Sequence, residues 1–558
     1  DESLSLLRKH REISANGFIA SAIVGSTRAG LARNPMTRPL LRLHLLGVAC
    51  VPLIGLLTDS TARCDSRSFQ VEYVKGVHEG PFTGRVYLIF SKRNKEPRRG
   101  PGWFNPEQFV ARDVQDWHPG VRLEFSGKLP GSTTGPRGLK AGPILGYPGP
   151  LAAMQLEGFH AQAVARFNPN DREIGQGAGN GFSMAKTLGS EAAQPKVAFG
   201  VSQLVPARPF RQTRWGRLLK VNSTLLTAFY KRPVFLRGGV ILPASYYDKP
   251  ERRYPVIFTV PGFGGTHHSG SAAAPVAERN DGGVEFLRII LDPSCPLGHH
   301  VFADSANNGP VGQALTTELI PALDRQFRTI ARPSARFLTG HSSGGWSSLW
   351  LQVTYPDVFA GTWSTSPDPV DFRDFQRINL YRRGENMYTD GQGRRRPLAR
   401  VNGQVRLWYK GFADMEWVLG HGGQLHSFEA VFSPRGSNGR PRLVWDRADG
   451  KIDLEAARTW EKYDIRLVLQ RNWKTLGPKL KGKLHVFMGD ADTFYLEGAT
   501  IRLKAALEKL GSDAVVEIHK GSDHFNLFRN GLRQRIRKEM TSAFLAAHPD
   551  QRQSAGGR

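Results

Sequence analysis

Five consecutive residues in the middle of the chain have the spacing of a turn that presents a reactive serine. They read Gly340-His341-Ser342-Ser343-Gly344, a G-x-S-x-G pattern. In such a turn a strand ends, the serine is held in a strained backbone conformation, and a helix begins directly behind it. Residues 336–339 are typical of a buried strand, and residues 344–354 are typical of a helix. The pattern predicts Ser342 as the nucleophile of an acyl-transfer reaction.

A serine hydroxyl is a weak nucleophile unless a base removes its proton. Where the serine lies on a strand–turn–helix of this type, the base is a histidine that comes last in the chain order. His524, in the run Gly521-Ser522-Asp523-His524-Phe525, directly follows the last predicted strand, residues 514–519. His524 is therefore the predicted base.

The base needs a carboxylate that orients it, and this carboxylate lies between the serine and the histidine in the sequence. Asp492 comes just after a predicted strand at residues 483–488, which places its side chain at the catalytic edge of a sheet. Asp490 is the nearest alternative, and Asp368, at the end of an earlier strand, is the next. Asp492 is the predicted acid.

The oxyanion that forms during acyl transfer needs N–H donors in fixed positions, each worth about 3 kcal/mol. One predicted donor is the backbone N–H of Ser343, the residue after the nucleophile. The other lies in the glycine-rich loop Pro261-Gly262-Phe263-Gly264-Gly265, which follows a predicted strand at residues 255–260. Phe263 is the preferred residue of that loop, and Gly264 is the alternative.

Several stretches around these residues resemble the putative-esterase family of α/β hydrolases. That family includes esterase D, feruloyl and acetyl xylan esterases, siderophore esterases and mycolyltransferases. The resemblance covers about residues 240–546, apart from an insertion within that range. It rests on five segments, Gly239 to Tyr247, Arg253 to Val256, Gly262 to Gly265, Tyr355 to Ala360 and Gly489-x-x-Asp492.

The resemblance implies the α/β-hydrolase fold. It also implies that Ser342, Asp492 and His524 hydrolyse carboxylic esters, or transfer acyl groups, without a metal or other cofactor. One position departs from the family pattern, because Pro261 stands where the family usually has a histidine before the oxyanion glycine. This departure concerns the geometry of the oxyanion loop and not the class of reaction.

Two pairs of adjacent histidines, His267-His268 and His299-His300, raise the question of a metal site. Neighbouring residues on a strand point to opposite faces, so neither pair can chelate an ion by itself. No metal site is predicted. His267, which follows the oxyanion loop, and His341, next to the nucleophile, are instead predicted to contact the substrate.

Two kinds of sequence pattern predict the structural elements that position these residues. Residues 68–213 consist of short alternating runs separated by Gly- and Pro-rich turns, which predicts an all-β, sandwich-like accessory domain. Residues 214–548 alternate strands with helices, which predicts the parallel sheet of an α/β domain. An insertion at residues 371–473 breaks this alternation and is expected to lie over the active site like a cap, and residues 549–558 form a polar tail.

Inside the insertion, four polar residues are candidate substrate contacts, although a folded loop that satisfies its own polar groups is the favoured interpretation. They are Glu416, His421, Gln424 and Glu429.

Residues 36–62 have the order of a signal peptide, with basic residues first, an uncharged run at residues 45–57, and small residues at a cleavage site. The apolar run is too short for a convincing membrane span. Residues 1–62 are therefore expected to be removed, and the mature protein is expected to be secreted or periplasmic. A lipid on Cys64 is a weaker alternative, because Arg63 is a poor residue before a lipidated cysteine.

The formal charge of +27 comes from 76 Lys and Arg residues against 49 Asp and Glu residues. The basic residues are scattered, and no helix-turn-helix, zinc-finger or RNP pattern accompanies them. Nucleic acid is therefore not a predicted partner. Attraction to anionic polymers or membrane surfaces is the expected consequence of the charge.

Together these features predict a secreted serine esterase whose substrate is a carboxylic ester, with polymer- or carbohydrate-linked esters among the candidates. The same three residues could instead perform peptidase or acyltransferase chemistry. A hypothesis of a different class is a non-catalytic protein whose β domain binds an extracellular polymer. In that case Ser342 would not react with a fluorophosphonate.

Overall fold

The computed structural model describes residues 67–102, 104–129, 131–273 and 284–553. The predicted signal peptide and Cys64 lie outside the described residues. In the described part of the chain, no helix combines the length and the hydrophobicity needed to cross a bilayer.

The first part of the described chain, called the β domain below (residues 68–204), consists of ten strands. In chain order they are β1 (Ser68–Tyr73), β2 (Phe82–Ser91), β3 (Gln108–Trp117), β4 (Leu123–Ser126), β5 (Thr133–Thr134), β6 (Lys140–Tyr147), β7 (His160–Ala165), β8 (Gly181–Ser183), β9 (Lys186–Thr187) and β10 (Lys196–Leu204).

These strands are hydrogen-bonded into one sheet, in the order β4-β1-β10-β8-β7-β2-β3-β6-β5, with β9 paired to β7. All neighbours are antiparallel except β1 and β10, which are parallel. The all-β character agrees with the prediction, but the described strands form one connected sheet where a sandwich of two was expected. Alternating residues identify strands without saying which strand pairs with which.

Strand β2 is buried on both of its faces. Val86, Leu88 and Phe90 belong to the core of the β domain itself. Tyr87 and Ile89, which alternate with them, pack into a second core that also contains residues from the insertion. Because both faces are covered by apolar side chains, the sequence of β2 lacks the alternation of a strand with one face in water.

The later part of the chain contains twelve described strands. They are β11 (Gly216–Asn222), β12 (Phe235–Ile241), β13 (Val256–Val260), β14 (Leu287–Leu291), β15 (Ser294–Cys295), β16 (Gly298–His299), β17 (Arg336–His341), β18 (Gly361–Thr365), β19 (Pro397–Val401), β20 (Gln404–Trp408), β21 (Leu484–Gly489) and β22 (Val515–His519).

Eight of these strands form the second sheet, in the order β11-β12-β14-β13-β17-β18-β21-β22. The first two pairs in this order are antiparallel, and all the others are parallel. The carboxyl ends of β13, β17, β18, β21 and β22 therefore lie at one edge of the sheet. In open α/β sheets this is the edge where ligands bind.

The helices in the described residues are α1 (Thr224–Tyr230), α2 (Val311–Ala314), α3 (Ile320–Gln326), α4 (Ser343–Thr354), α5 (Tyr409–Leu419), α6 (Gln424–Phe432), α7 (Leu454–Thr459), α8 (Ile465–Leu480), α9 (Glu497–Lys509), α10 (Leu532–Ala547) and α11 (Asp550–Gln553). A π-helical turn, Leu315–Leu319, joins α2 to α3.

The chain between β18 and β21 contains α5 to α8 and the hairpin β19–β20. The sequence pattern did not allow helices to be assigned there. Phe412 of α5 and Phe428 and Phe432 of α6 pack into the same core as Trp346 of α4 and Tyr87 of β2. These helices therefore pack on the helix behind the predicted nucleophile and on the β domain at once. Their role as a cap stays a prediction.

Candidate active site

Ser342 lies in the sharp turn between β17 and α4, at the ligand-binding edge of the eight-stranded sheet. Its backbone has φ 60° and ψ −127°, a conformation that non-glycine residues rarely adopt. The turn brings the strand and the helix so close together that only glycine fits at two positions. A Cβ on Gly340 would overlap the carbonyl oxygen of Gly344, and a Cβ on Gly344 would overlap that of Val260. The structure thus gives Ser342 the elbow geometry that the sequence predicts.

His524 and Asp492 are brought together in loops that follow β22 and β21. His524 Nδ1 lies 2.8 Å from Asp492 Oδ2, and the backbone N–H of Phe494 donates to Asp492 Oδ1 at 2.8 Å. Asp492 is 0% exposed and His524 is 3% exposed. The competing carboxylate, Asp490, is exposed and accepts a hydrogen bond from the N–H of Gly521. The geometry therefore favours Asp492 over Asp490 as the partner of the histidine.

The electrostatics of His524 are set by two opposing effects. Burial by itself would lower the pKa of His524, because a charged imidazolium loses its hydration. The negative charge of Asp492 and its hydrogen bond outweigh burial, so the net result is a pKa raised above the ordinary 6.5. An imidazole beside a buried carboxylate is suited to accept a proton during a reaction.

Aromatic side chains surround His524. The ring of Phe494 meets it edge-on at 4.9 Å between centroids, and the ring of Phe525 lies at 5.3 Å. Phe104, from the β domain, contacts both of these rings, at 6.0 Å and 6.4 Å. His341 lies 4.6 Å from His524, with its Nδ1 3.1 Å from Thr365 Oγ1. His341 is thus next to the base, and its contact with substrate stays a prediction.

The glycine-rich loop after β13 packs directly against the nucleophile. A Cβ placed on Gly262 would lie 3.3 Å from the Cβ of Ser342 and 3.9 Å from its Oγ. The loop turns sharply, because the N–H of Gly265 donates to the carbonyl of Gly262 at 2.9 Å and Gly264 has φ +87°. Phe263 is therefore held in a turn beside Ser342. The N–H of Ser343, in the first turn of α4, has no carbonyl one turn earlier to bond.

His299 supports this loop, a role that the sequence did not suggest. Its Nδ1 accepts a hydrogen bond from the N–H of Val301 at 3.1 Å, so the proton of the neutral ring is on Nε2. Nε2 then donates to the carbonyl of Pro261 at 2.9 Å. Burial lowers the pKa of His299 to about 4, which keeps the ring neutral. Pro261 precedes Gly262, and His299, which lies outside the loop, binds the carbonyl of Pro261.

Asp368, the third candidate acid, lies in the loop after β18 and packs against the elbow. Its Oδ2 accepts a hydrogen bond from the hydroxyl of Ser343 at 2.6 Å. Gln424, the first residue of α6, donates from Nε2 to the Ser343 hydroxyl at 3.1 Å and to Asp368 Oδ2 at 3.4 Å. Burial raises the pKa of Asp368 to about 6, while the hydrogen bond from Ser343 and the charge of His524 act in the opposite direction.

His267, the other predicted substrate contact, is buried beside Asp292. It is 6% exposed, its Nδ1 lies 2.7 Å from Asp292 Oδ2, and its ring stacks on Phe210. Substrate contact by His267 therefore stays an untested prediction. Within the described residues, no group of three His, Cys, Asp or Glu side chains is placed to hold a metal ion.

The mixed sheet and the serine elbow are those of an α/β hydrolase. Residues 236–497 match the model of the family described as "Putative esterase". The matched range contains Ser342 and Asp492 and ends before His524. No curated protein matches the chain.

Among solved structures, three with a partial similarity to this chain are as follows. A ferulic acid esterase is 13% identical, with a TM-score of 0.36, over 60% of this chain and 100% of that chain. An S-formylglutathione hydrolase from Agrobacterium tumefaciens is 13% identical, with a TM-score of 0.35, over 59% and 97%. Dipeptidyl peptidase 4 from Porphyromonas gingivalis is 10% identical, with a TM-score of 0.36, over 78% of this chain and 48% of that chain.

Proposed function

We propose that this chain is a serine hydrolase that cleaves carboxylic esters through a covalent acyl-enzyme. The observation that carries the proposal is the 2.8 Å contact between His524 Nδ1 and Asp492 Oδ2 at the sheet edge where Ser342 forms the elbow. The match of residues 236–497 to the esterase family supports an ester as the substrate class.

In the proposed mechanism the hydroxyl of Ser342 attacks the ester carbonyl while Nε2 of His524 takes its proton. The Nδ1–H of His524 donates to Asp492, which leaves Nε2 as the acceptor and stabilises the imidazolium that forms. His524 then returns the proton to the departing alcohol. A water molecule deprotonated by the same nitrogen attacks the acyl-enzyme and releases the acid.

The negative charge that develops on the carbonyl oxygen is stabilised by the N–H groups of Ser343 and Phe263. Each donor contributes about 3 kcal/mol to the stability of the tetrahedral intermediate. The short distance between Gly262 and Ser342 supports this assignment, because it places the loop beside the reacting atom.

A Ser342→Ala variant tests the proposal. Turnover of p-nitrophenyl acetate should fall to the uncatalysed background, and a fluorophosphonate probe should no longer label the protein. Ser348→Ala is the matched control, because Ser348 is a buried serine of α4, the helix that follows Ser342, and its hydroxyl donates to the carbonyl of Gly345. It should keep both activities. Turnover or labelling that persists in Ser342→Ala would refute the assignment, and absence of labelling in the wild type would favour a non-catalytic protein.

A further inference from the structure

Helix α5 ends against the β domain. Its last carbonyl groups have no N–H partner within the helix, so they need donors from elsewhere. Arg85 of β2 donates from Nη1 to the carbonyl of Trp417 at 2.9 Å and to that of Val418 at 3.0 Å. Tyr87, two residues further along β2, donates from its hydroxyl to the carbonyl of Leu419 at 2.7 Å. One strand of the β domain thus caps this helix.

The guanidinium of Arg85 is itself held in place. Its Nε and Nη2 donate to the two carboxylate oxygens of Asp113, each at 2.7 Å, and this two-point pairing fixes the plane of the group. Only Nη1 is then directed at the helix. A cation at a helix C-terminus also interacts favourably with the helix dipole.

The loop between α5 and α6 is held by the β domain as well. Arg166 donates from Nη1 to the carbonyl of His421 at 2.8 Å. Two glycines of the loop lie close to arginines of the β domain, because a Cβ on Gly420 would lie 3.2 Å from Arg85 Nη1 and one on Gly422 would lie 2.9 Å from Arg172 Cβ. The loop therefore follows the surface of the β domain closely.

This loop leads directly into the candidate active site. It ends at Gln424, whose Nε2 contacts both the Ser343 hydroxyl and Asp368. Ser343 carries the proposed oxyanion N–H and begins α4. The start of α6 is further fixed by Glu416, whose carboxylate accepts hydrogen bonds from the N–H groups of Leu425 and His426.

The β domain reaches the other sides of the site too. The guanidinium of Arg172 lies 4.8 Å from the centre of the Phe263 ring, above the proposed oxyanion loop. Phe104 packs on Phe494 and Phe525, which surround His524. Contacts from a single domain therefore reach both the oxyanion loop and the surroundings of the base.

We propose that the β domain is a working part of the active site, and that Gln424 is the positioning residue through which β2 acts on the nucleophile elbow. Tyr87 and Arg85 fix the end of α5, the following loop carries Gln424 against Ser343 and Asp368, and the oxyanion N–H of Ser343 is held in its productive direction. The inference rests on the proposed function, because it concerns the same active site. It adds to that site the β domain, which lies outside the matched residues 236–497.

The test compares two buried tyrosines of the β domain. Tyr87→Phe removes the hydrogen bond to Leu419. Tyr73→Phe instead removes a hydroxyl whose single proton is shared between the carbonyls of Gly80 and Trp117, both within the β domain. We expect Tyr87→Phe to lower kcat for p-nitrophenyl acetate about three- to tenfold with little change in KM. Tyr73→Phe should lower the melting temperature and leave kcat unchanged.

A double variant tests whether Tyr87 acts on the elbow through Gln424. Gln424→Ala should lower kcat about tenfold, and adding Tyr87→Phe to it should cause no further loss if Tyr87 acts through Gln424. Equal kcat values for Tyr87→Phe and Tyr73→Phe, or losses that multiply in the double variant, would overturn the inference.

A second measurement separates this inference from the proposed function. Hydrogen–deuterium exchange in peptides covering residues 417–430 and 340–347 should speed up in Tyr87→Phe and not in Tyr73→Phe, whether or not the protein hydrolyses esters. Unchanged exchange in Tyr87→Phe would refute the coupling. Persistent turnover in Ser342→Ala would refute the catalytic assignment alone.

Discussion

The two flanks of Ser342 are constructed in different ways. On the base flank, defined by Asp492 and His524, each residue lies in the loop immediately after its own parallel strand, and the two side chains contact each other directly. On the oxyanion flank, defined by Phe263, Ser343 and Gln424, the positions depend on contacts between distant parts of the chain. Pro261 and His299 are 38 residues apart, and Tyr87 and Leu419 are 332 residues apart.

This difference shows which part of a hydrolase site a sheet can build alone. Parallel strands bring the loops that follow them to one edge, so an acid and a base there need little further support. Backbone N–H donors must instead be positioned to within a fraction of an ångström of the carbonyl oxygen, whose negative charge develops only during the reaction. In this chain we infer that His299, the insertion and the β domain hold the proposed donors in place.

The largest effect is expected on the base flank. Asp492→Asn should lower kcat about 10⁴-fold, because the amide stabilises the wrong tautomer of His524 and no longer stabilises the imidazolium. Asp490→Asn is the matched control, since Asp490 is exposed and only accepts a bond from Gly521. It should retain nearly full activity, and a comparable loss in Asp490→Asn would remove the distinction between the two carboxylates.

The pH dependence of kcat/KM in the wild type and in Asp492→Asn gives a second test of the acid. In the wild type, Asp492 raises the pKa of His524 above 6.5, so kcat/KM should rise as the pH increases through a value above 6.5. Without this carboxylate the two largest effects that raise the pKa are lost, burial still lowers it, and only the weaker charges of Asp368 and Asp523 oppose burial. The acid limb of Asp492→Asn should therefore move to lower pH. A shift in the opposite direction would contradict the assignment of Asp492.

A smaller effect is expected on the oxyanion flank. His299→Phe removes the N–H that holds the carbonyl of Pro261 and should lower kcat about ten- to a hundredfold with little change in KM. His300→Phe is the control, because each histidine accepts one backbone N–H through Nδ1, from Val301 or Phe302. Only His299 reaches the loop. Equal kcat values in the two variants would show that the loop is positioned without His299.

The smallest expected effect concerns stability. Burial raises the pKa of Glu416 to about 7, above its ordinary 4.5, so the folded state favours the protonated carboxyl. The charged form is costly at pH 8, and this cost disappears as the pH falls through 7 towards 4.5. Glu416→Gln should therefore stabilise the protein at pH 8, by on the order of 2 kcal/mol, and have little effect at pH 5.

Thermal unfolding of Glu416→Gln at both pH values measures this difference. Asp371→Asn serves as a contrast, because burial acts to raise the pKa of Asp371 but its hydrogen bond from Arg373 and the charge of Arg466 outweigh burial and lower it. The substitution leaves the buried Arg466 without this carboxylate and should destabilise the protein at pH 8. A lower melting temperature for Glu416→Gln at pH 8 would show that the charged carboxylate is needed to cap α6.

The sequence allowed the base flank and the sheet to be predicted because their signals are local. The elbow glycines, the strand before them and the order of Ser342, Asp492 and His524 can each be recognised within a few residues. Helix α9, Glu497–Lys509, also has a local signal, since its apolar spacing and Gly511 after its end lie within one short stretch of the sequence.

The remaining features depend on pairing and packing across the chain. Gln424 could not be singled out among the polar residues of the insertion, because its contacts with Ser343 and Asp368 exist only when α6 packs on α4. His299 looked like half of a histidine pair. The strand order of the β domain could not be predicted either, because several strand pairings are compatible with the same alternation of residues.

Strand β2 has a consequence for how this protein can be re-engineered. Its two sets of side chains serve two cores, so a substitution at Leu88 that shifts the strand also moves Tyr87 and, with it, the end of α5. The β domain is therefore not an interchangeable module. Grafting a different β domain onto this hydrolase would require β2 and the α5–α6 loop to be transplanted together as one unit.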